Sequence, residues 1–374
     1  MTIFTELTLG LAGTAKNTGK TTTAATIIEE IRSRGIALYL TSIGFDGETV
    51  DNITGLPKPK LWVEPGDIVV TAERCIGIST AKLKKIEDTG ITNPLGKIYI
   101  TQVRQRGLVV TAGPNKSSEL CRIMDILRRL GPAVTIVDGA LNRMAPMIKT
   151  DGFVLSTGAS RTPNIEQLAQ ETGLIWNLCN LVKVPRAGEL AEQRIDKITL
   201  LDGSLKEVAS CPASSLLNEA EVASLFAQPI KDGYYLYIPG IIGEKALHSV
   251  YEKLAGLHRR LILAFADPIK LLVFGNPAAY YQLIMQLEEI GVFVGVVKRI
   301  PLLAITVNPF YPEYRWNDNR YSPAFVDLIR LQVSIQNSVR VPVYNVVRQG
   351  GKELVDQLLT NARRWESPST ITFT

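Results

Sequence analysis

Histidine is nearly missing from this chain: His248 and His258 are the only two in 374 residues. The four cysteines, Cys75, Cys121, Cys179 and Cys211, are widely separated and form no Cys-x-x-Cys pair. That scarcity removes the ligand spacing of a zinc site and of a cysteine cluster. Neither histidine has partners from which a nucleophile triad can be read, so both are assigned structural or surface roles. Long apolar runs are missing too. The most apolar late stretch, residues 261–274, is interrupted by Asp267, Pro268 and Lys270 and is too short to span a bilayer. The start, Met1-Thr2-Ile3-Phe4-Thr5-Glu6, lacks a basic n-region, which argues against a signal peptide. Reduced cysteines and no membrane segment make the cytoplasm the expected location. The net charge of +5 is spread along the chain. Its short clusters, Lys82-Leu83-Lys84-Lys85 and Arg259-Arg260, read as solvated helix faces, so nucleic acid is not an expected partner. Internal repeats and low-complexity tracts are lacking as well.

What is present describes a soluble α/β protein. Hydrophobic residues make up 46% and charged residues 21%, an ordinary globular balance. The length exceeds one core, so two domains are expected: residues 1–182, and residues 183–374 as a second α/β domain that binds a partner or substrate. In the first half, strand-like runs at 7–12, 37–41, 67–72, 97–101, 107–111, 133–138 and 151–157 alternate with helical patterns near 80–87, 118–130 and 164–174. Continuous apolar strands separated by helices predict a mostly parallel sheet covered on both faces. A hairpin turn expected at Asp202-Gly203 opens the second half. Strands are expected there at 234–238, 271–274, 292–298, 302–307 and 342–346, and helices at 243–257, 277–289, 323–334 and 352–363. The tail from 366 has no helical pattern.

The densest signal is Gly13-Thr14-Ala15-Lys16-Asn17-Thr18-Gly19-Lys20-Thr21-Thr22. It lies between an apolar strand and a helix, the context of a phosphate-binding P-loop. Successive backbone N–H groups and the helix start form a concave anion site. Lys20 can then reach the β and γ phosphates, and the Thr21 hydroxyl can bind Mg²⁺. The pattern wants glycine at position 14, where this chain has Thr14, with Gly13 one residue early.

Asp138 ends a buried strand downstream of that loop, where the Mg²⁺-binding carboxylate belongs. Asp46 and Glu48 follow the second strand and are candidates to bind Mg²⁺ or orient an attacking water; exposed turn residues are the equal alternative. Arg143 is a candidate phosphate or substrate contact, or a surface residue. Asn115-Lys116 evokes a guanine-reading motif, but Ser118 stands where aspartate is required; the pair reads instead as a helix start capped by Asn115 or Ser117. Thr306-Val307-Asn308-Pro309-Phe310-Tyr311-Pro312 is a polar and aromatic loop able to line a pocket, or to serve packing alone.

The P-loop residues Gly19-Lys20-Thr21-Thr22 with Val137-Asp138-Gly139-Ala140 resemble the dethiobiotin synthetase and cobyrinate amidase branch of P-loop proteins. There a Gly-Lys-Thr loop is paired with a strand ending in Glu-Gly-Ala; here Asp138 replaces the glutamate, and Leu141-Asn142-Arg143 replaces the glycine-rich continuation. Lys16 resembles the second lysine of the MinD and ParA class, displaced by one residue, where it would neutralise transition-state charge across a dimer. Residues 12–22, Val137 to Arg143, and Thr306-Val307-Asn308-Pro309 are also similar to lysine 5,6-aminomutase reactivase subunits. That resemblance implies an ATP-binding, ATP-hydrolysing accessory protein that uses Mg²⁺ and reactivates an adenosylcobalamin-dependent aminomutase, its protein partner. A homo-oligomer is compatible with this. The alternative is an ATP-dependent ligase or kinase acting on a small carboxylate near Asp46 and Arg143.

Overall fold

The computed structural model describes residues 6–43, 61–139, 147, 149–227, 229–256, 260–273, 275–315 and 319–365. The chain divides into two compact units, one of residues 1–169 with 302–374, the other of residues 170–301.

The first pass through unit one runs β1 (Leu7–Gly13), α1 (Lys20–Ser33), β2 (Leu38–Ser42), β3 (Leu61–Val63), β4 (Ile68–Ala72), α2 (Glu73–Ile78), β5 (Lys82–Asn93), β6 (Gly96–Gln105), β7 (Gly107–Val109), α3 (Ser117–Arg129), β8 (Val134–Asp138), β9 (Gly152–Gly158) and α4 (Ile165–Cys179). The chain leaves that unit within α4. Unit two holds α5 (Ala187–Glu192), β10 (Ile198–Leu201), β11 (Glu207–Cys211), α6 (Glu219–Leu225), β12 (Tyr235–Ile238), α7 (Glu244–Ala255), β13 (Ile262–Phe265), α8 (Ile269–Leu272), α9 (Pro277–Glu289) and β14 (Phe293–Val296). The return to unit one adds β15 (Leu302–Asn308), β16 (Phe310–Arg315), β17 (Arg320–Phe325), α10 (Leu328–Ser338), β18 (Val343–Tyr344), α11 (Val346–Gln349) and α12 (Lys352–Trp365).

Unit one is built on a nine-stranded sheet in the order β18-β15-β9-β1-β8-β2-β4-β6-β5. Pairing is parallel from β18 across to β4. Only β6 and β5, at one edge, are antiparallel. Every residue of β1 and of β9 is buried, as strands covered on both faces must be. On one face Leu7, Leu9 and Leu11 pack with Ala24, Ile27, Ile28 and Ile31 of α1 and with Leu354, Val355 and Leu358 of α12. The 24-27-28-31 spacing is one helical stripe. On the other face Val70, Ile98, Ile100 and Val137 meet Leu120, Ile123, Met124 and Leu127 of α3. Each such leucine or isoleucine contributes about 1.5–3 kcal/mol by leaving water, which holds β1 in the interior of the sheet between β9 and β8.

Several local expectations change. The Lys-rich stretch 80–87 is not a helix: it opens β5, the outermost strand, which pairs antiparallel with β6. Its lysines suit a sheet edge, where charge blocks further strand addition, so Lys82, Lys84 and Lys85 lie on a strand rather than a helix face. The run 107–111 supplies β7, which pairs with β3 in a separate ribbon. Residues 269–272 form α8 instead of a strand, because the buried Asp267 carboxylate accepts the Ile269 N–H at 3.0 Å and turns the chain at Pro268. The strand of that region is β13, immediately before. Residues 306–312 are no loop. β15 runs to Asn308, and Phe310 begins the hairpin β16–β17, which also takes Pro323 out of the helix expected from that residue. α3 starts with Glu119 accepting the Lys116 N–H at 3.3 Å, not with a cap from Asn115.

The expected division at residue 183 also differs from the observed one. β15 pairs with β9 over Leu302–Asn308, so the last part of the chain belongs to the first sheet. Unit two is a five-stranded sheet, β11-β10-β12-β13-β14, with β12, β13 and β14 parallel. The β10–β11 connection turns on Asp202, whose carboxylate accepts the Ser204 and Lys206 N–H groups at 2.8 and 3.0 Å.

Candidate phosphate-binding site

At the carboxyl end of the parallel sheet, β1 passes directly into a six-residue turn, Thr14 to Gly19, and then into α1. Two residues of that turn take left-handed backbone: Asn17, with φ of 62°, and Gly19, with φ of 89°. Asparagine tolerates that region better than other side-chain-bearing residues, and glycine adopts it freely. A Cβ on Gly19 would also lie 3.3 Å from the Cβ of Asn308. α1 then starts without a side-chain cap and with no acid in its first turn. A helix start of this kind has the N–H groups and positive dipole end that suit an anion.

Thr14 is not among the left-handed residues, so glycine is not required there. The position is instead tied to β9. Its N–H donates to Ser156 O at 3.0 Å, and its hydroxyl lies 3.0 Å from that of Thr157 on β9. Gly13 has its own reason: a Cβ there would sit 3.0 Å from the Thr18 hydroxyl, inside the turn. Thr18, buried, closes the turn by donating to Ala15 O at 3.0 Å.

Lys20, the first residue of α1, places Nζ 2.5 Å from Asp138 Oδ1. The sheet explains the meeting. β8 lies beside β1, with Asp138 in register with Leu11 on one side and Ser42 of β2 on the other. Thr21 is half-buried and Thr22 exposed on the first turn of α1, and Ala15 is half-buried beside exposed Lys16. The sequence candidates Asp46, Glu48 and Arg143 lie outside the described residues, as do His258 and Arg259. His248 is exposed on α7, 3.6 Å from Glu252.

Sequence reasoning singles out Thr306 and Asn308 only as parts of a polar loop, and misses Thr23, Ser156 and Ser160 as supports of the turn. Thr23 of α1, Ser156 of β9 and Thr306 of β15 form a buried hydroxyl cluster, with Thr23–Thr306 at 2.8 Å, Ser156–Thr306 at 2.9 Å and Ser156–Thr23 at 3.3 Å. Asn308 and Ser160 reach the turn from the ends of β15 and β9, and both donate to Asn17 O, at 2.8 and 3.2 Å. These partners lie 133 to 291 residues from the turn's own helix and loop, beyond any local motif. The one signal available was that small polar residues interrupt otherwise apolar strands at their carboxyl ends.

Among the described residues, no group of three or more His, Cys, Asp or Glu side chains could hold a metal by itself. A site of the P-loop kind asks for less: one carboxylate, one hydroxyl, waters and the phosphates themselves. Asp138 and Thr21 meet that requirement in donor type.

No family model matches the chain, and no curated protein matches it. One solved structure similar to it is the crystal structure of an LAO/AO transport system kinase, at 12% identity and a TM-score of 0.22, covering 96% of this chain and 71% of that one. No helix among the described residues is long and apolar enough to cross a membrane.

Proposed function

We propose that this chain binds ATP with Mg²⁺ at the Gly13–Thr22 turn and hydrolyses it. The observation that carries the reading is the turn itself: left-handed backbone at Asn17 and Gly19 leads into an uncapped, acid-free helix start beside the Lys20–Asp138 pair. Backbone N–H groups in such a concavity bind phosphate oxygens. Lys20 would exchange Asp138 for the β and γ phosphates, and Asp138 with the Thr21 hydroxyl would hold Mg²⁺. When bound, the metal neutralises charge on the phosphates. Asp46 is retained as the candidate that orients water, and Lys16 as a second cation toward the phosphates.

The finer reading, an accessory ATPase that reactivates an adenosylcobalamin-dependent amino acid aminomutase in the cytoplasm, rests on the resemblance carried by residues 12–22, Val137–Arg143 and Thr306–Pro309. In it, ATP holds one conformation of the site and hydrolysis releases it, the cycle that would free a damaged cofactor from the partner.

Mg²⁺-ATP binding and basal hydrolysis by the purified protein, beside Lys20→Ala, test the core of this. Binding with slow turnover, both lost in the variant, is expected. Tight binding with no turnover would move the reading to a ligase or kinase awaiting a carboxylate co-substrate. Absence of binding would overturn it.

A further inference from the structure

Asn308 touches both the turn and the hairpin that follows it. Its side-chain nitrogen donates to Asn17 O at 2.8 Å, and its side-chain oxygen accepts the Phe310 N–H at 3.2 Å. Ser160 reaches the same two residues, donating to Asn17 O at 3.2 Å and to Phe310 O at 2.9 Å. A hydroxyl carries one proton, so Ser160 serves one of these carbonyls at a time. Asn308 has no such conflict, since it uses its amide hydrogen toward the turn and its oxygen toward the hairpin.

The backbone of Asn308 is fixed as firmly as its side chain. Its carbonyl accepts the Ala159 N–H at 2.9 Å, and β15 is in register with β9 up to Asn308 opposite Gly158. A Cβ on Gly158 would lie only 2.2 Å from that carbonyl, so glycine is what admits the approach. On the other side the Asn308 Cβ fits against Gly19, the second left-handed residue of the turn. One asparagine therefore abuts Gly19 and holds the carbonyl of Asn17.

We propose that Asn308 is a positioning residue for the phosphate loop: its amide holds the Asn17 carbonyl so that the Asn17–Gly19 backbone presents its N–H groups to an anion before the anion arrives. This rests on the phosphate-site reading above and adds to it a residue from the far end of the chain. Asn17 in left-handed conformation is disfavoured without support. With the prop removed, the competent turn becomes a fraction of the population, and apparent affinity falls by that fraction.

The role predicts an effect on phosphates irrespective of the base. The experiment is calorimetric titration of Mg²⁺-tripolyphosphate and of Mg²⁺-ATP into the wild type, Asn308→Ala, Ser160→Ala and Lys20→Ala, with thermal unfolding of each. Asn308→Ala is expected to weaken both ligands about equally, by roughly tenfold. Ser160→Ala, which leaves Asn308 and its bond to Phe310 in place, is expected to weaken both by about two- to threefold. Unchanged tripolyphosphate affinity in folded Asn308→Ala overturns the proposal, and so does a loss confined to ATP, which would make Asn308 a reader of the base. Should Asn308→Ala not fold, Asn308→Ser, whose side chain lacks the amide nitrogen that donates to Asn17 O, takes its place, and unchanged tripolyphosphate affinity in it overturns the proposal. If the wild type binds neither ligand, or Lys20→Ala binds as well as the wild type, the phosphate site itself fails, a result distinct from all of these.

Discussion

Lys20 Nζ and Asp138 Oδ1 lie 2.5 Å apart, one at the start of α1 and the other at the end of β8. Their side chains keep 20% and 26% of their exposure, so the pair is partly hydrated and contributes only about 0–1 kcal/mol to stability. Asp138→Ala is therefore expected to leave the unfolding free energy within about 1 kcal/mol of wild type. ATP affinity without Mg²⁺ should hold or rise, because Lys20 no longer has to leave a carboxylate. The enhancement by Mg²⁺ should vanish, with hydrolysis down by about 100-fold or more. Titrations with and without the metal check this; a Mg²⁺ dependence like that of wild type would remove Asp138 from metal binding.

Thr14 occupies the position where the P-loop pattern asks for glycine, and its backbone has no need of one. Restoring the pattern with Thr14→Gly should harm the protein. The variant loses the hydroxyl contact to Thr157, worth about 1 kcal/mol, and adds about 0.5–1 kcal/mol of backbone entropy cost. Denaturant unfolding should show a destabilisation of about 1–2 kcal/mol, and titration should show no gain in ATP affinity. Tighter ATP binding by Thr14→Gly would mean that the turn is strained by threonine.

What could be read from sequence and what could not divide along chain distance. The β1–turn–α1 unit was legible because its signals are local: an apolar strand, Gly19-Lys20-Thr21, and the 24-27-28-31 stripe. Asp138 was legible because a carboxylate ending an apolar run stands out. The Lys-rich strand β5 was misjudged because charge on an edge strand and charge on a helix face look alike in one dimension. α8 was misjudged because the turn that starts it depends on the buried Asp267 accepting a backbone N–H, a contact that no apolar run announces. The return of β15 and the props at Asn308, Ser160 and Thr306 are products of sheet order, set by packing between segments far apart in the chain.

The four cysteines lie in unequal surroundings. Burial pushes the Cys179 thiol up to about 12 and raises that of Cys75, so neither offers thiolate near neutral pH. Cys211 is also buried, whereas Cys121 on α3 is partly exposed. Brief maleimide labelling of the native protein at pH 8 should modify Cys121 first, with the other three reacting only after denaturation. Mass spectrometry of peptides reads the order, and early labelling of Cys179 would contradict its burial.

Asp267 in unit two makes stability depend on pH in the direction opposite to most carboxylates. Burial raises its pKa, and the ammonium groups of Lys270 and Lys298 together with the Ile269 and Lys270 N–H groups only partly pull it back. Lys270 Nζ is 3.9 Å from Asp267 Oδ2. Because the folded state holds this proton more tightly than the unfolded chain, stability is highest below the unfolded pKa. It falls as pH rises from there through the folded value, by about 1.4 kcal/mol for each unit of elevation. Asp267→Asn keeps an oxygen for the Ile269 N–H and carries no charge to desolvate. Its β12 and β13 amides should therefore exchange hydrogen more slowly than those of wild type at pH 7.5, after correction for intrinsic rates. At pH 4 the difference should shrink toward zero. A variant less protected than wild type at pH 7.5 would mean that the Lys270 and Lys298 charges outweigh desolvation, and that Asp267 is held as a stabilising ion.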